Sequence, residues 1–189
     1  MRTSALLISI SSLFILSGCT NQQPQPAVQT AQPAPTPAPA APAGQASGDL
    51  RQVMRGILFP NSNVIFAAQD KNPADTKPAK DPTLATDPLA STYGGWTAVE
   101  NSGMALAEAA NLLTIPGRLC SNGRAVPVQS DDWKKLVQGL RDAGMSAYKA
   151  AQSKDKDKIV DAAGNVTTAC SDCHDKYREK PGGEKDRCM

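Results

Sequence analysis

One histidine, His174, stands in 189 residues, so no second imidazole is available to any centre built within a single chain. Aromatic side chains are almost as scarce, with 2 Trp, 3 Tyr and 3 Phe, and a core built from this chain alone has little bulky mass. Strand-like alternation is missing, which argues against a sheet. The apolar run from Ala5 to Leu16 is too short to cross a bilayer. Charge of one sign is not in excess either. Once Arg2 is set aside with the amino-terminal segment, the 20 basic residues become 19 against 18 acids, giving no reason to expect nucleic acid or a strongly charged partner.

The amino terminus reads as a targeting segment rather than as part of a fold. Arg2, the short apolar run and the small residues before Cys19 fit a signal peptide over residues 1–18. Leu16-Ser17-Gly18-Cys19 resembles a bacterial lipobox, which implies lipidation of Cys19; several acyl chains, each methylene adding ~0.8 kcal/mol, would anchor it firmly. The competing reading is an ordinary cleaved signal with an incidental cysteine. Thr20 rather than Asp after Cys19 implies, by resemblance to lipoprotein sorting, the periplasmic side of a bacterial outer membrane. Residues 19–46 are rich in Pro, Ala and Gln. They have almost nothing to bury and favour extended conformers, as a linker does. A Pro-rich recognition ligand is the sharper alternative, but no basic or aromatic anchor accompanies the prolines.

Residues 47–189 are about the size of one domain, and four stretches within them carry helical periodicity. The first is expected to start at Ser47 as N-cap, with Leu50, Val53, Met54, Ile57, Val64, Ile65 and Ala68 on one face. Pro60 should bend it. Residues 70–91 read as a long surface connection, either a partner contact or mobile. The second helix is expected over about 94–114, its small residues Ala105, Ala107, Ala109 and Ala110 allowing close approach of a flat cofactor or a neighbouring helix. The third begins at the cap Ser130, followed by Asp131, Asp132 and Trp133. The fourth carries Ile159, Ala163, Val166, Cys170, Cys173 and Tyr177 and stops near Pro181. The architecture these imply is all-α, an antiparallel up-down-up-down four-helix bundle.

The fourth stretch contains Cys170-Ser171-Asp172-Cys173-His174. Two cysteines separated by two residues and followed at once by histidine form the attachment signature of c-type haem. On one helical turn both thiols can meet the two vinyl groups of a porphyrin, and the adjacent imidazole can serve as proximal iron ligand. A thioredoxin-like redox pair would open a helix after a strand, and none precedes it. A zinc site would need Cys120 or Cys188 as a further ligand, and neither has a paired spacing of its own. One covalent haem c is therefore the expected cofactor, and it would supply core mass that the aromatics do not, coupling haem binding to folding.

With one histidine, the other side of the iron carries Met, Lys, solvent, an exogenous ligand or nothing. In an up-down-up-down bundle the start of helix one lies beside the end of helix four. Met54 lies about seven residues in from Ser47 and His174 about six before the stop near Lys180, so the two stand at one level. Met104 and Met145 fall ~15–22 Å away along the axis. Met54 is the methionine placed to ligate iron; the alternative is a core methionine that only packs on the porphyrin. Cys120 follows helix two and Cys188 lies beyond helix four, both at one pole. An exported location permits a disulfide between them, nominally ~4 kcal/mol in the chain-entropy model, against two free thiols.

The haem motif near the carboxy terminus, the following Asp175-Lys176-Tyr177-Arg178, the four helices and the early methionine together resemble class II cytochromes c, the cytochrome c-prime superfamily, here as a lipoprotein-tethered member. The resemblance covers roughly residues 47–180. It implies that Arg178 lies near the proximal face of the haem. It also implies that low-spin members use the methionine matched by Met54, that five-coordinate members leave an apolar side chain over the iron, and that many members pair as homodimers. The expected function is membrane-tethered electron transfer by a mono-haem cytochrome with His174/Met54 coordination, to redox partners the sequence does not identify. A five-coordinate protein binding NO or CO is the alternative, and a haem-bearing accessory subunit of a membrane complex is a third. Enzymatic turnover is not expected, because no catalytic base near the iron can be identified.

Overall fold

The computed structural model describes residues 44–179 and 183–188. The signal segment 1–18, Cys19 and all but the last three residues of the expected linker lie outside them. Among the described residues there are four long helices and no strand. Helix α1 covers residues 50–70, α2 Gly95–Leu112, α3 Asp131–Ser153 and α4 Lys156–Tyr177. Each helix packs on the next, and the first also packs on the fourth; the bundle expected from the sequence is what forms. No helix among the described residues is long and apolar enough to cross a membrane.

Local chemistry fixes the helix ends. The N-cap of α1 is Asp49 rather than Ser47: its carboxylate accepts from the Gln52 N–H at 2.8 Å, while the Gln52 side chain accepts from the Asp49 N–H at 2.9 Å. This reciprocal pair satisfies two orphan donors, which a cap two residues earlier would leave open. Ser130 caps α3 through the Trp133 N–H at 3.2 Å, as the sequence indicates. Between α3 and α4 the chain reverses at Lys154, whose φ of 53° is left-handed. Asp155 then caps α4, accepting from the N–H groups of Asp157 and Lys158 at 3.0 and 3.2 Å.

Both poles are tied by polar contacts. At one, the Leu50 N–H donates to the Leu119 carbonyl at 2.8 Å, and buried Arg118 donates to the carbonyls of Leu112 at 2.9 Å and Gly48 at 2.6 Å. The entry to α1 is thereby held against the exit of α2. Trp133 at the start of α3 donates from its indole to the Leu113 carbonyl at 2.9 Å and meets the Tyr177 ring edge-on, centroids 4.9 Å apart. Lys176 near the end of α4 pairs with Asp132, holding that carboxyl below the ordinary aspartate range. At the other pole Lys156, at the start of α4, donates to the carbonyls of Ala68, Gln69 and Lys71 that end α1. The amino-terminal end of α1 and the carboxy-terminal end of α4 consequently share a pole.

Helix α1 continues past Pro60, as expected, but is not α-helical throughout. Residues Leu50–Val53 are α-helical, Met54–Leu58 form a π turn, and Phe59–Asp70 resume the α-helix. The Phe59 N–H reaches back five residues to the Met54 carbonyl. One extra residue in a turn shifts the buried face by one position. Leu58, Ser62 and Ile65 are buried where the regular pattern would bury Ile57 and Val64, which are only half-buried.

The long connection is packed, not loose. Three times it repeats Asn-Pro or Asp-Pro, at Asn72-Pro73, Asp81-Pro82 and Asp87-Pro88. Each time the polar side chain caps a short 3-10 turn by accepting an N–H two residues on. Pro73 and Leu89 are buried against the bundle, Leu89 with 0 % of its surface exposed. Leu89→Ala should therefore lower stability by about 3 kcal/mol, whereas Leu84→Ala, at a side chain 76 % exposed, should change little. Denaturant midpoints of the two variants make the comparison; equal midpoints would mean that the connection is not pegged to the core.

Candidate haem-binding site

The site grows out of the core stripe of α4. Ile159, Ala163 and Val166 on that stripe are each 0 % exposed. One turn further, Ala169, Cys170, Cys173 and His174 hold the same face yet are only half-buried. Burial falls off because this part of the helix borders a cavity. There the bundle encloses an apolar cavity of about 180 Å³ to which all four helices contribute. Cys170, Cys173 and His174 line it from α4, and Met54, Arg55, Leu58, Phe59 and Ser62 from α1. Leu106 of α2 and Leu136, Val137 and Leu140 of α3 complete the side walls, with Leu113 just past the end of α2.

Of the residues singled out from the sequence, Cys170, Cys173, His174, Met54 and Arg178 all border this one cavity. Met104 and Met145 do not. Both α1 and α4 end nearer to these residues than expected, α1 at Asp49 and α4 at Tyr177, and the two shifts offset each other. The sequence reading passed over Arg55, Leu58 and Phe59. Leu58 was hidden by the π turn, which moves the buried face away from the position that a regular helix assigns to it.

Beyond His174 the chain folds back. The N–H groups of Arg178 and Glu179 both donate to the His174 carbonyl, at 2.7 and 2.8 Å. Cys188 donates its N–H to the Tyr177 carbonyl at 2.8 Å, and its sulfur lies 1.95 Å from that of Cys120, a disulfide. Asn122 donates to the carbonyls of Lys185 and Arg187 at 2.9 and 2.5 Å. The tail is thus fastened to the loop that follows α2.

Burial governs the titration of the three groups on α4. It raises both thiols above their ordinary value, Cys173 to about 11 with Cys170 nearby adding to the effect. It lowers His174, helped by the Arg178 guanidinium and opposed by Glu179 and Asp175. At neutral pH the imidazole is uncharged with a lone pair to give, as a metal ligand must be, and the cysteines are thiols rather than thiolates. A thioredoxin-like couple needs a stabilised thiolate, which this apolar surround opposes. The zinc alternative loses its further ligand, since Cys120 and Cys188 bond each other, and no group of three or more His, Cys, Asp or Glu side chains able to hold a metal ion occurs among the described residues.

A haem fits what remains. Two unpaired thiols and a neutral imidazole face an apolar hollow. Arg55 and Arg178 border it, and their guanidinium groups could pair with carboxylates on an otherwise apolar ligand, that of Arg178 already pairing with Glu179.

Comparison with protein families agrees with this geometry. Residues 124–178, which span α3, α4 and the Cys170–His174 motif, match the family described as Cytochrome C', and the match supports assigning the chain to the cytochrome c-prime superfamily. Comparison with curated proteins and with solved structures gives no significant match.

Proposed function

We propose that this chain of the cytochrome c-prime superfamily is a mono-haem electron-transfer protein with His174 and Met54 as the two axial ligands, tethered to the periplasmic side of a membrane, an outer membrane in the first instance, through lipidated Cys19. The supporting observation is that Met54 borders the same apolar cavity as Cys170, Cys173 and His174. The bound haem would supply a one-electron iron centre whose potential a Met/His ligand pair raises. Cys170 and Cys173 would hold it through thioether bonds, each thiol supplying the sulfur and the hydrogen that add across one vinyl group. His174 offers a neutral imidazole. The leucines of α2 and α3 that line the cavity would keep water from the iron, which favours the Met54 thioether over solvent as its second ligand.

Leu58 and Phe59 give a second reading some footing. Both border the cavity from α1, and an apolar side chain over the iron is what the five-coordinate, gas-binding members of the superfamily present. One comparison separates the two. In the electron-transfer reading the ferric holoprotein is low-spin with the long-wavelength charge-transfer band of iron–methionine ligation, and Met54→Ala abolishes that band. A high-spin wild type whose spectrum Met54→Ala leaves unchanged would favour binding of NO or CO.

A further inference from the structure

The π turn in α1 lies beside the cavity, and its cause is local. Pro60 has no N–H to donate to the Gly56 carbonyl, so an α-turn cannot close there. The Asn61 side chain instead donates to the Ile57 carbonyl at 2.7 Å, and the Phe59 N–H takes the Met54 carbonyl across five residues. Neither half of the helix is free to rotate and relieve the extra residue. The first half is fixed by the Asp49–Gln52 capping box and the Leu50–Leu119 backbone bond. The second is fixed by fully buried Ile65 and Ala68 and by Lys156 on its last carbonyls.

Helical phase shows what the turn accomplishes. An α-helix turns ~100° per residue. If the second half ran back through residues 54–58 without the extra residue, Arg55 would point where Met54 points. Met54 would take the core position of Val53. A guanidinium has no lone pair to give and does not deprotonate in proteins, so the register of this turn decides whether a ligating atom holds the half-buried position that Met54 takes on the cavity wall.

We propose that Pro60 and Asn61 are positioning residues for the distal ligand: by holding the π turn open, they keep Met54 in the half-buried position on the cavity wall and Arg55 at the exposed edge of the same cavity. This rests on the His174/Met54 reading above. Without them nothing pins the extra residue to positions 54–58; between the two fixed ends it exchanges with positions nearer the start of the helix, and Met54 holds its place on the cavity wall for only part of the time. A competing exogenous ligand then binds more tightly, because the competent register is diluted.

The test uses purified ferric holoprotein and added imidazole as the competing ligand. Pro60→Ala and Pro60→Ala/Asn61→Ala should weaken the iron–methionine band and lower the imidazole concentration at half-saturation, about tenfold in the double variant. Deleting Gly56 in the double variant should restore both, since a helix one residue shorter is regular and keeps both flanking faces. Gly56 is exposed, and a Cβ there would meet nothing within 4 Å. A further pair, Met54→Leu/Arg55→Met, should lack the band. The proposal is overturned if the substitutions at 60 and 61 leave band and half-saturation unchanged, or if methionine at 55 regains the band. A wild type with no such band, indifferent to Met54→Ala, instead removes the His/Met reading and this proposal with it.

Discussion

Cys170→Ala/Cys173→Ala is expected to yield a protein from which all haem is lost on denaturation, while each single variant keeps it through the remaining thioether. Haem staining of a denaturing gel reads this directly. In the double variant His174 and the apolar walls still bind haem reversibly, so its thermal midpoint becomes dependent on haem concentration. The wild-type midpoint does not move with added haem, because the covalent group stays with the chain in both states. The physical basis is the abrupt change along α4. Up to Val166 the stripe is buried by neighbouring side chains, and from Ala169 onward the helix lines a cavity that a tethered ligand would fill at high effective concentration. A double variant that still carried haem through denaturation would mean that another side chain forms the bond.

Most of this arrangement was legible in the sequence, and the parts that were not share a cause. The attachment motif, the caps of α3 and the stripe on α4 depend on neighbours within one turn, so residue spacing reveals them. That Met54 and His174 border one cavity depends on two helix ends meeting at one pole, and it needs only topology and a rise of ~1.5 Å per residue. The π turn was not legible because counting apolar residues at 3.6 per turn presumes a regular helix. Pro60 signals a disturbance without saying whether the helix bends or widens, and the Asn61 side chain is what closes the turn. The anchoring of the connection over 70–91 was not legible for a different reason. Leu89 is one apolar residue among polar ones and carries no periodicity, although three repeats of Asn-Pro or Asp-Pro already marked a chain built of capped turns.

The small residues of α2 and α3 lead to the second large effect, which concerns the bundle as a whole. The sequence left open whether they admit a flat cofactor or a neighbouring helix, and the structure shows the helix. A Cβ on Gly103 of α2 would lie 2.5 Å from the Tyr148 backbone nitrogen, and one on Gly144 of α3 would lie 2.6 Å from that of Ala107. In both cases the obstacle is main chain, which cannot swing aside as a side chain can. Buried Ala107 and Ala147 flank these points, so little side-chain mass is present there to absorb a shift. Gly144→Ala is therefore expected to cost about 3 kcal/mol, and Gly144→Val to prevent a stable fold. The damage should reach the haem spectrum, because Leu106 on α2 and Leu140 on α3 are walls of the cavity, and prying the helices apart moves both. Gly139, five residues earlier on α3, supplies the control. It is exposed with no atom near a would-be Cβ, so Gly139→Ala should stabilise the helix by about 0.8 kcal/mol through propensity alone. Urea midpoints of the two alanine variants should shift in opposite directions. If they shift together, α2 and α3 are not in backbone contact, and the walls of the haem site are set by something other than this crossing.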